Sequence, residues 1–128
     1  MSLLREPRLH DDEFLKRVRQ LPCLFPMCNR QPVEAAHIRQ ARADLDITEA
    51  GIGQKPHDAM VVPLCEIHHR IGQGAEHRIG SKVFWRSVRI DPHHVALRLY
   101  IAHRRISDDM EAVQAMRSIV LEERFAAQ

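Results

Sequence analysis

The chain has 128 residues, 45% of them hydrophobic but only 5% aromatic, and a formal net charge of +2. That length fits one domain over 1–128 with a thin core, of the kind a bound metal helps to hold. No apolar run is long enough to span a membrane and no signal-peptide pattern follows Met1, so the expectation is a soluble, cytoplasmic protein with no membrane role.

The positive charge is almost all arginine, whose planar fork matches phosphate oxygens; the only lysines are Lys16, Lys55 and Lys82. Residues 36–105 hold eleven Lys or Arg against seven Asp or Glu, a balance of +4, whereas 106–128 hold two against five, or −3. The middle of the chain is therefore the part expected to face a polyanion. The three cysteines, Cys23, Cys28 and Cys65, cannot all pair with one another. Their placing favours a metal in a reducing compartment over a disulfide scaffold.

In chain order, residues 1–10 read as an extended lead-in. Asp11 and Asp12 open a short helix, Glu13 to Gln20, with Phe14, Leu15 and Val18 inward, and Pro22 ends it. Cys23 to Cys28 reads as a metal knuckle. Asn29 to Pro32 is a turn, and Val33 to Arg39 is a strand with His37 near its end. A long connection, Gln40 to Pro56, includes a stretch over 41–50 that can form a helical turn.

Ala59 to Leu64 reads as a second strand, with Pro63 marking an edge or a strand end. Glu66 to Ile71 starts a helix that Gly72-Gln73-Gly74 interrupts, resuming over Ala75 to Arg78. Gly80 ends it, and Ser81 is expected to cap a helix from Lys82 to Val88 with Phe84 and Trp85 as core anchors. Asp91-Pro92 opens a helix to about Arg104, with Val95, Leu99 and Ala102 inward and His93 and His94 at the surface. Ser107 and Asp108 open the last helix, whose inward stripe is read as Met110, Val113, Met116, Val120 and Leu121.

This layout is an α+β fold: a small zinc-stapled ββα core over about 21–90, flanked by helices at 11–20 and 92–126. Cys65 and His68, at i and i+3, share a helical face and can meet Cys23 and Cys28 around one tetrahedral zinc. His69 lies about 100° further round, so it faces away from that ion and toward the strands that carry His37.

The same residues carry a resemblance. The cysteine pair, Ala36-His37-Ile38-Arg39, Lys55-Pro56-His57-Asp58 and Val62-Pro63-Leu64-Cys65-Glu66-Ile67-His68-His69 resemble the HNH (His-Me finger) endonuclease superfamily. More narrowly, they are similar to a phage and prophage family of unassigned function with an HNH-type core. The resemblance covers roughly residues 11–100, including Gly80, Trp85 and Ile90-Asp91-Pro92, and leaves the last helix outside.

It implies a metal-dependent endonuclease that hydrolyses DNA to 5′-phosphate and 3′-hydroxyl ends. His37 would be the general base, and Asp58 a polar residue that orients it. His69 and His77 would hold a catalytic Mg²⁺ or another divalent cation. Two departures stand out. His77 follows His69 by eight residues where the family typically has four, and Ala36 precedes His37 where many members carry a histidine or an acid.

Arg39, Arg42, Lys55 and Arg70 flank this site and are the candidate phosphate contacts. DNA is the expected partner, with a homo-oligomer or a recombination protein as further possibilities. The alternative from another class is a catalytically degenerate zinc-stapled nucleic-acid-binding or adaptor module in phage recombination or packaging. Ala36 favours that alternative; the pair His37 and His69 favours the enzyme.

Overall fold

The computed structural model describes residues 11–40, 42, 44 and 58–127. The expected lead-in over 1–10, most of the stretch over 41–50 expected to form a helical turn, and Lys55 and His57 lie outside the described residues. Elsewhere the chain forms α1 (Asp12–Val18), β1 (Val33–His37) and β2 (Val61–Cys65). A π-type turn (Ile67–Ile71) follows, then α2 (Glu76–Ile79), α3 (Ser81–Val88), α4 (Pro92–Arg105) and α5 (Asp109–Ala126). The expected α+β arrangement is present: one antiparallel hairpin packed against helices.

The hairpin pairs Val33 with Cys65 and His37 with Val61, with Ala35 opposite Pro63. Pro63 sits in mid-strand, on the edge strand that its residue type suggested as one of two settings. Its carbonyl accepts Leu24 N–H at 2.8 Å, so both polar groups of residue 63 point away from β1, and a missing N–H disturbs no ladder bond. Two residues on, Cys65 N–H points the same way, to Cys23 Sγ at 3.3 Å. The cysteine knuckle thus covers the outer edge of β2. A two-stranded hairpin is marginal alone, and β2 is buried along its whole length, with α1 and α4 against it.

Helix ends follow from caps. Asp11 accepts Phe14 N–H at 3.0 Å, Asp91 accepts the N–H groups of His93 and His94, and Asp108 accepts Glu111 N–H at 2.9 Å. Ser81 does not cap α3 as expected. The cap position is Gly80, at φ 95°, a conformation that penalises a side chain, and Ser81 is already helical. Its hydroxyl instead donates to Glu76 Oε2 at 3.0 Å.

The turn after β2 also differs from the expected α-helix. Gly72 N–H bonds Ile67 O at 2.9 Å across five residues, and a Cβ on Gly72 would lie 2.7 Å from that oxygen, so the closure requires glycine. Cys65 is the last residue of β2, and the turn, not a shared α-helical face, brings His68 to it.

Three burial expectations are corrected. In α1 the inward residues are Phe14, Arg17 and Val18, with Leu15 only half-buried. In α5 the buried line is Ala112, Met116, Val120 and Arg124, spaced by four, while Met110 is 73% and Leu121 47% exposed. The helix touches both α4 and α1, and this contact rotates its inner face away from the bulkiest apolar residues. His93, expected at the surface, is 2% exposed, with its Nε2 at 2.9 Å from Gln40 O.

Phe14 joins α1 to α4: it is fully buried, with Tyr100 edge-on and His103 tilted against it, each 5.0 Å away between ring centres. Phe14→Ala should therefore destabilise the fold by about 3–5 kcal/mol, read as a lower urea midpoint with an unchanged slope.

Candidate metal centres and the histidine cleft

Cys23, Cys28, Cys65 and His68 come together as four potential ligand atoms, all within 4.8 Å of one another. Cys28 Sγ and Cys65 Sγ are 3.8 Å apart. His68 Nδ1 lies 3.2 Å from Cys65 Sγ and 3.8 Å from Cys23 Sγ. A tetrahedron with Zn–S near 2.3 Å has an S···S edge of about 3.8 Å, and its S···N edges are slightly shorter. The donor set and spacing therefore fit a closed Cys₃His zinc site.

The electrostatics point the same way. Burial pushes the Cys23 thiol up to about 12, so ionising it requires a nearby cation such as a metal. Burial, and secondarily the charge of Arg30, pushes His68 down, which favours the neutral ring that a ligand needs. Phe25 stacks on His68 with ring centres 3.8 Å apart and nearly parallel planes, holding the imidazole in place. From the far end of the chain, Arg124 Nη1 donates to Cys23 O at 3.2 Å.

A second group forms on the other side of the π-type turn. Ligand atoms of His69, Glu76 and His77 lie within 4.8 Å of one another, and the two imidazole centres are 4.4 Å apart. His69 is nearly buried, and its Nδ1 is 2.7 Å from Glu34 Oε1. Arg70 beside Glu34 holds that carboxyl down at about 2, against the opposing effect of burial, so it is an anionic acceptor. A carboxylate behind one ring nitrogen leaves the other nitrogen as an acceptor, the usual support for a metal-binding histidine. Glu76 is buried; its Oε2 accepts from Ser81 Oγ and from Trp85 Nε1 at 2.8 Å. Its Oε1 is 3.9 Å from His77 Nε2. Burial, and then the neighbouring His69, pushes His77 down.

His37 and His77 line one cleft of about 370 Å³, together with Arg39, Glu76, Gly80 and Ser81. His37 Nε2 is 3.0 Å from Asp58 Oδ1, and Asp58 is 1% exposed. The other carboxylate oxygen accepts Asp11 N–H at 2.8 Å. The chain of contacts continues to the helices. Asp11 Oδ2 is 3.1 Å from His103 Nε2, His103 Nδ1 is 3.0 Å from Arg17 Nη1, and Arg17 donates to Asp109.

No protein-family model matches the chain, and no curated protein or solved structure matches it either.

The sequence-predicted residues thus divide. His37 and Asp58 meet, and His77 joins His69 despite the four extra residues between them. Of the phosphate candidates, Arg39 lines the cleft. Arg42 is held by Asp44 and Asp91, at 2.7 and 2.6 Å, and Arg70 by Glu34 at 2.7 Å. Sequence reading missed Glu34 and Glu76. Glu34 had a signal, since it lies on the same strand face as Ala36, the position where a ligand was looked for.

The closed donor set should bind one zinc per chain, measurable by elemental analysis. Cys65→Ser should lose that zinc, and chelation of the wild type should lower its melting temperature. An unchanged melting temperature after complete zinc removal would show that the four residues are not a structural staple.

Proposed function

We propose that this chain is a metal-dependent phosphodiesterase acting on DNA, built on an HNH-like ββα core with structural zinc at Cys23, Cys28, Cys65 and His68. The observation that carries this reading is His37, bonded to a buried Asp58 and opening into the same cleft as His77, with His69 and Glu76 alongside. A structural staple needs none of these groups.

In this reading Asp58 accepts from Nε2–H of His37. That fixes the tautomer and leaves Nδ1 to take a proton from an attacking water. Asp58 is a positioning residue: its own orientation is set by Asp11 N–H. His69, Glu76 and His77 would hold the divalent cation, which when bound supplies Lewis-acid stabilisation of charge on the phosphate and on the leaving 3′ oxygen. Ala36 is buried and offers no ligand; Glu76 takes the third position instead. Glu34 orients His69 from behind. Arg39 is the phosphate contact nearest to the base.

The test is plasmid nicking with Mg²⁺ or Mn²⁺. The zinc-loaded wild type should nick. His37→Ala should slow it by about 10²–10⁴-fold while keeping its zinc and its fold at the assay temperature. Glu76→Gln keeps an acceptor for Trp85 and should raise the Mg²⁺ concentration needed for half-maximal cutting. A fully zinc-loaded wild type that cuts neither single-stranded, duplex nor branched DNA would sink the hydrolase reading, leaving a zinc-stapled nucleic-acid-binding or adaptor module.

A further inference from the structure

We infer that the exposed face of α3 is a track for a nucleic-acid backbone, leading out of the histidine cleft; this inference rests on the phosphodiesterase reading and extends it to where the substrate lies. A groove of about 580 Å³ runs between α3 and the start of α4, and Arg42, Lys82, Trp85, Arg86, Arg89 and Asp91 are among its walls. Lys82 and Arg86, at i and i+4, are exposed on one face of α3, and Arg89, the left-handed cap just past its end, is exposed beside the same groove. Phe84 and Val88 turn into the core from the same helix.

These three cations carry their charge un-neutralised, as several other arginines of the described residues do. Arg17, Arg42, Arg70 and Arg98 each hold a carboxylate. Lys82, Arg86 and Arg89 have no carboxylate partner among the described residues. Like charges four apart on a helix destabilise it. The helix dipole also disfavours Lys82 in the first turn, where α3 has no acid. Arg86 and Arg89, at the C-terminal end of α3, suit the dipole, whereas Lys82 does not, and a polyanion in the groove would offset the mutual repulsion of all three.

The geometry specifies the polyanion. At a rise of about 1.5 Å per residue Lys82 and Arg86 stand about 6 Å apart along α3, about two steps of a DNA strand that advances about 3.4 Å per phosphate, and Arg89 extends the charge past the helix end. The groove also adjoins the cleft. Gly80 and Ser81, where α3 begins, line the His37 cleft. Ser81 Oγ lies 3.1 Å from Gln40 Oε1, and Gln40 is part of the groove wall. A strand whose scissile phosphate sits beside His37 would thus lay its flanking phosphates along α3.

The experiment is fluorescence anisotropy of a short labelled DNA duplex and its single strand, titrated with the full zinc-loaded chain without other divalent ions, between about 50 and 200 mM salt. The wild type should bind with a steep salt dependence. The triple variant Lys82→Gln, Arg86→Gln, Arg89→Gln should bind about tenfold or more weakly at the low-salt end. Its slope of log affinity against log salt should be shallower by about 2–3, the contribution of three phosphate contacts. Arg86→Lys with Arg89→Lys should keep the wild-type slope, separating charge from helix damage.

A triple variant with the wild-type slope overturns the track, as does a wild type that binds neither DNA, or that polyglutamate displaces as readily as unlabelled DNA does. The nicking result is independent. Loss of slope in a protein that never nicks upholds the track and removes the phosphodiesterase reading. Nicking with an unchanged slope does the reverse.

Discussion

Four ligand atoms from two distant segments, Cys23 and Cys28 before β1 and Cys65 and His68 at and just past the end of β2, converge on one point, and the placing of His69 in the cleft follows from that closure. The knuckle gives β2 a second edge partner through Leu24 N–H and Cys23 Sγ. It fixes the start of the π-type turn through His68. Once His68 is committed to the cysteines, the next residue, His69, is turned to the opposite side, toward Glu34 on β1 and His77. A thin-cored chain thereby places two adjacent histidines in two different environments: one among thiols and pressed against Phe25, the other backed by a carboxylate.

The cleft is tied to the helices by polar contacts as well as by packing. Asp58 is almost wholly buried, and an ionised carboxylate there would be strongly disfavoured without partners. His37 and Asp11 N–H supply them, and Asp11 simultaneously caps α1 and meets His103 on α4. Arg17 closes the array with bonds to the α4–α5 connection and to Asp109. The orientation of the His37 ring is thus coupled to where α1, α4 and α5 sit, although none of these helices touches the cleft opening.

The metal donors and the strand bearing His37 were legible in the sequence because thiols and imidazoles at short spacings have few other uses. The acids that complete the second group were not. Glu34 and Glu76 are ordinary residues of a strand and a helix until the fold brings them to His69 and His77. His93 was misread because a histidine beside a helix start looks solvated; only the tertiary path of Gln40 covers it. The phase of α5 was misread because Met110 and Leu121 are more apolar than Ala112, whereas the inner face here includes a residue small enough to lie fully buried and an arginine, Arg124. The π-type turn was invisible to helical periodicity, since one wide turn has no repeat; its only trace was Gly72.

The bond from Arg124 to Cys23 O spans 101 positions of the chain, and this separation has a consequence in time. All four candidate metal donors have been synthesised by residue 68, while the guanidinium that grips the knuckle from behind is added 56 positions later. At about 5–20 residues per second, that interval is roughly 3–11 s. During it the four donors belong to a chain that still lacks α5. The contact that ties the last helix to the knuckle can therefore form only after all four of those donors are already in the chain.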